Sequence, residues 1–109
     1  MRGTQKQIEW AKDIKASELK RLAAMIELDK AEAAEFADQK QAAEAEMLSL
    51  VLDYLSQEVD CLAADWICCR LEPRSTFLAV AKFLAKPEKK LEGQALAMWC
   101  AGRARPQAR

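Results

Sequence analysis

No histidine occurs among the 109 residues, and glycine and proline number only three each. Without histidine, a nucleophilic triad or a histidine general base is excluded. Gly3, Gly93 and Gly102 are too scattered to form a loop that cradles phosphate. No run approaches the eighteen or so apolar residues of a membrane span. The opening Met1-Arg2-Gly3-Thr4 leads into charged sequence rather than the apolar core of a signal peptide. Carboxylate pairs such as Glu32/Glu35 and Glu44/Asp53 read as solvated helix faces. The expectation is a cytoplasmic protein that is not an enzyme, uses no cofactor and contacts no membrane.

Cysteine is present four times, as Cys61, Cys68, Cys69 and Cys100, in a spacing that fits no zinc site, so no metal is expected. Nothing else in the chain suggests an oxidising compartment, and the four read as reduced, small, buried side chains. Cys61 and Cys68 lie seven apart, two helical turns, and are expected to share a face.

What the chain does have is helical pattern. Apolar residues make up 51% and charged residues 31%, a balance that folds. Residues 4–72 contain neither glycine nor proline, which favours helix. Ile8, Ala11, Ile14, Leu19, Leu22, Met25, Ile26, Ala33 and Phe36 fall on one side at 100° per residue, with Lys15, Glu18 and Asp29 intruding. Thr4 followed by Gln7 is a capping-box start. A helix over 4–60 would run about 85 Å at 1.5 Å per residue, whereas a compact domain of this size is about 35 Å across. A turn is therefore placed at residues 37–40, where Asp38 and Gln41 give a second capping signal. The alternative, one long helix paired in a coiled coil, lacks a strict heptad register.

The predicted fold is a small all-α bundle. A long N-terminal hairpin (about 4–36 and 39–60) is followed by shorter helices at about 61–71, 75–86 and 88–101. Residues 1–102 form one domain, and residues 103–109 a basic flexible tail. Met47-Leu48-Ser49-Leu50-Val51-Leu52-Asp53-Tyr54-Leu55 is the most apolar run, and Leu50 and Leu55 are expected at the centre. Leu62, Trp66 and Cys69 recur at i, i+4 and i+7 before Pro73 stops the third helix. Ser75 is the expected cap of the fourth. Pro87 is expected to open the fifth and Gly102 to close it, with residues 95–100 alternatively extended.

Net charge is zero, yet residues 37–60 hold one basic and six acidic side chains, and residues 61–109 hold nine and four. Lys82, Lys86, Lys89, Lys90, Arg103 and Arg105 would serve a nucleic-acid partner if gathered on one face. Trp10 lies off the apolar stripe of the first helix and is a candidate for contact with a protein partner.

Residues 3–14, Gly-Thr-Gln-Lys-Gln-Ile-Glu-Trp-Ala-Lys-Asp-Ile, resemble a G-[ST]-x-K-Q-x-x-W-A-x-x-I opening of small proteins of phages and mobile elements. Those proteins often carry a later A-x-W-I-D-N-R-like segment. Here Ala64-Asp65-Trp66-Ile67-Cys68-Cys69-Arg70 keeps Trp66, Ile67 and Arg70, with two cysteines replacing the Asp-Asn pair. The resemblance implies an uncharacterised interaction protein, including the class of inhibitors of host defence complexes, and implies no catalytic residues. Trp10, Lys6, Trp66 and Arg70 are the candidate partner-binding residues, and a homodimer is compatible with this reading. A nucleic-acid-binding accessory role is the alternative.

Overall fold

The first helix begins where two side chains close a capping box. Thr4 Oγ1 accepts the Gln7 N–H at 3.2 Å, while Gln7 Oε1 accepts the Thr4 N–H at 3.0 Å. The computed structural model of the chain describes residues 1–87 and 90–103. In it α1 spans Gln5–Phe36 and α2 spans Gln39–Ser56. Between them Ala37 takes a left-handed conformation (φ 51°), its N–H bonded to the Ala33 carbonyl. Asp38 then caps α2 by accepting the N–H groups of Lys40 and Gln41. The Gln41 side chain does not return to the cap; it crosses to Glu32 on α1 and ties the hairpin. At 1.5 Å per residue α1 is about 48 Å long, which accounts for the 49 Å long dimension of the molecule. The domain is thus more elongated than the 35 Å sphere expected from its length.

The expected third, fourth and fifth helices exist with shifted bounds: α3 is Ala63–Ile67, α4 is Arg74–Ala85 and α5 is Gly93–Gly102. Beyond one isolated bridge there is no strand among the described residues, and residues 95–100 are helical. The second helix ends four residues before the expected residue 60. Lys15 Nζ donates to the Gln57 carbonyl at 3.2 Å, and the chain then lies extended beside residues 1–3. There Arg2 N–H donates to the Cys61 carbonyl at 2.7 Å and Ala63 N–H to the Arg2 carbonyl at 2.8 Å. Cys61 therefore precedes α3, and Cys61 and Cys68 do not share a helical face as the spacing suggested. Pro73, not Ser75, is the N-cap of α4. The fifth helix starts at Gly93, whose φ of 58° suits glycine, rather than after Pro87. Gly102 is its last residue rather than a terminator beyond it; a Cβ there would collide with the Tyr54 ring.

Ala11, Ile14, Leu22 and Ile26 of α1 bury against Leu48, Val51 and Leu55 of α2, and Trp66, Phe77, Val80 and Met98 complete one continuous core. Leu55 is central as expected. Leu50 is not: it is 52% exposed, because at 100° per residue it points away from Leu48, Val51 and Leu55. Two of the charged intruders on the α1 stripe are buried and paired. Glu18 holds Arg21 at 2.7 Å, and Asp29 holds Arg74, which also reaches Glu44 at 3.5 Å. The third, Lys15, lies 5.9 Å from the Trp66 ring centre and 3.7 Å from Glu58. Among the described residues no helix is long and apolar enough to cross a membrane.

Candidate interaction surface

The segments over residues 3–14 and 64–70 meet in space. A Cβ on Gly3 would lie 3.1 Å from the Ala63 Cβ, so the start of α1 and the start of α3 approach closely. Ala11, Ile14 and Trp66 are fully or nearly buried between them. In these segments Thr4 and Gln7 cap α1, Ala11 admits the neighbouring helix, and Ile14 and Trp66 fill the core. Trp66, 1% exposed, offers no surface to a partner, which removes it from the candidate residues.

Trp10 and Arg70 are the pair left at the surface. Trp10 is 44% exposed, and the Arg70 guanidinium lies 4.8 Å from its ring centre, within cation–π range. Lys6, also exposed, stands one helical turn before Trp10 on the same side of α1. Three of the four sequence-derived candidates thus share one region at the α1–α3 end of the molecule.

The residue after Arg70 escaped the sequence reading. Leu71 adopts a left-handed backbone conformation (φ 53°) and leaves its side chain 78% exposed. For a leucine this conformation is sterically unfavourable by about 1–2 kcal/mol. The buried Glu18 carboxylate holds it in place: Oε1 accepts the Leu71 N–H at 2.9 Å, and both oxygens accept Arg21 Nη1, at 2.9 and 2.7 Å. Arg21 Nη2 donates to the Glu72 carbonyl at 3.1 Å, and the buried Glu72 carboxylate accepts the Thr76 hydroxyl at 2.9 Å. No local sequence signal marks Leu71, because its conformation depends on a carboxylate 53 positions earlier in the chain.

The thiols have unequal settings. Cys61 and Cys69 are buried, Cys68 is exposed and Cys100 is half-buried. Cys69 donates to the Asp65 carbonyl at 3.0 Å, and burial, reinforced by the nearby Glu72 charge, pushes its thiol well above the ordinary range. Burial also raises Cys61. Thiolate chemistry is therefore disfavoured at both. Among the described residues no group of three or more potential ligands is placed to hold a metal.

Lys82, Lys86 and Lys90 border an apolar groove between α2 and α4. Arg103 lies over Trp99, 4.4 Å from its ring centre, and Lys89 and Arg105 fall outside the described residues. Comparison with family models, curated proteins and solved structures yields no match to this chain.

Proposed function

We propose that this is a non-enzymatic helical interaction protein that contacts a protein partner through the surface formed by Lys6, Trp10, Arg70 and Leu71. The observation that carries this reading is Leu71: a leucine held in an unfavourable conformation, exposed to solvent, by a buried carboxylate and arginine. Strained residues persist where the surroundings over-determine them, and such places concentrate at functional sites. The neighbours support a protein contact, since tryptophan and arginine are the side chains most enriched at binding hot spots. A protein of the phage or mobile-element type acting here in the cytoplasm would inhibit a host complex, such as a defence complex, by covering one of its surfaces.

Nucleic-acid binding is the second reading, and it rests on Lys82, Lys86 and Lys90 lying on one side of the molecule. The floor between them is apolar, which suits phosphate poorly.

Site-specific photo-crosslinking in host cells tests the proposal. A photoreactive side chain at Lys6 should capture one protein partner, and Arg70→Glu should abolish that capture. The same group at the exposed Glu35, at the far end of α1, should capture nothing specific. Equal capture from both positions, or capture indifferent to Arg70→Glu, would reject the assignment.

A further inference from the structure

A second surface, on another side of the molecule, has a chemistry of its own. Between α2 and α4 runs a groove of about 620 Å³, open to solvent, with Met47, Leu50, Phe83 and Leu91 on its floor. Leu50 sits there half-exposed instead of in the core, and Ala79 and Ala85 on the α4 side leave room for a close neighbour. The rim is basic. Lys82 lies in the last turn of α4, Lys86 is the extended C-cap residue, and Lys90 lies on the following segment.

We propose that this groove receives an amphipathic helix of another protein whose apolar face is edged by aspartate or glutamate. A groove between two helices with an apolar floor is the geometry in which a helix lays down its i, i+3, i+4 and i+7 side chains. Lys82 and Lys90 on the rim match carboxylates along the edge of such a helix. A nucleic-acid strand fits less well, because the floor offers no donors for phosphate. The Phe83 ring is also already engaged edge-on by Trp99, with centroids 5.3 Å apart and planes at 76°, so it presents no free platform for a base.

The test is a selection of displayed helical peptides against the full-length chain. Apolar residues are fixed at i, i+3, i+4 and i+7, and the flanking positions are randomised among Asp, Glu, Lys, Arg, Ser and Gln. Acidic residues should be enriched about tenfold over basic ones at the flanks, equivalent to about 1.4 kcal/mol. Lys82→Glu together with Lys90→Glu should invert that preference. Leu50→Glu, at an exposed position, should abolish binding while leaving the circular dichroism melt unchanged. No enrichment, or a preference that survives the charge reversal, would overturn the proposal. So would a concentration-dependent dimer dispersed by Leu50→Glu, since the groove would then be filled by a second copy. An oligonucleotide that competes for the groove more tightly than the selected peptides would overturn it as well.

Discussion

Arg70 covers the ring of Trp10 at 4.8 Å from its centre, joining the first helix to the turn that follows the third. Because both side chains are exposed, the pair contributes little to folding. A double-mutant cycle with Trp10→Ala and Arg70→Ala, read by urea unfolding, should give a coupling of about 0.5–1 kcal/mol. A coupling several times larger would make the pair a structural element rather than a displayed surface.

Burial separates leucines within one run of α2. Leu48→Ala and Leu55→Ala should each cost about 2–5 kcal/mol, the range for truncating buried leucines, since both are at most 1% exposed. Leu50→Ala should cost less than about 0.5 kcal/mol, as surface changes usually do. Denaturant melts of the three variants check the assignment.

The Asp29–Arg74 pair predicts an asymmetry. Arg74→Ala leaves the Asp29 carboxylate buried and uncompensated, at a cost of about 3 kcal/mol, the lower end for broken buried pairs because the arginine is partly solvated. Replacing both, with Asp29→Leu and Arg74→Met, should recover most of that loss, because no unpaired charge remains. Urea midpoints of the single and double variants provide the comparison.

Alkaline pH should unfold the domain through Cys69 and Tyr54. Burial raises the Cys69 thiol from its ordinary value of 9.0 and pushes the Tyr54 phenol from 10.0 up to about 12. Each folded group keeps its proton at pH values where the unfolded chain has already lost it. Their contribution to stability is complete below about pH 9 and declines as pH rises toward 12. Tyr54→Phe removes the bond from the phenol to the Trp99 carbonyl, 2.6 Å, and so lowers the melting temperature at pH 7. It should also flatten the decline between pH 10 and 12. An unchanged slope in this variant would assign the decline to other groups.

The elements legible in the sequence were those governed by neighbours. The Thr4–Gln7 box, the Asp38 cap and the apolar stripe of α1 as far as Ala33 depend on residues within one or two turns, and each is found where the pattern placed it; Phe36, counted on the stripe, is instead 70% exposed at the end of the helix. The bounds of α2 and α3 were misread because pairing with residues 1–3 and with Lys15 draws residues 57–62 out of helix. Glu18 and Asp29 were visible as charges on an apolar face, but their partners Leu71 N–H and Arg74 come from distant parts of the chain. In the proposed site, Trp10 stood out by its departure from the core pattern, whereas Lys6 and Arg70 were marked only by the resemblance of their segments. Trp66 was misplaced because an aromatic residue gives the same signal inside a core as on a surface, and Leu71 gave no signal at all.

Leu71→Gly tests the central claim most directly. Glycine adopts the left-handed conformation without the steric penalty, so the variant should be more stable than the native chain by up to about 1 kcal/mol. In a capture assay against host protein, the same variant should lose at least about 90% of the partner, which corresponds to about 1.4 kcal/mol of binding. Capture equal to that of the native chain would contradict the account, leaving Leu71 as a turn residue with no part in recognition.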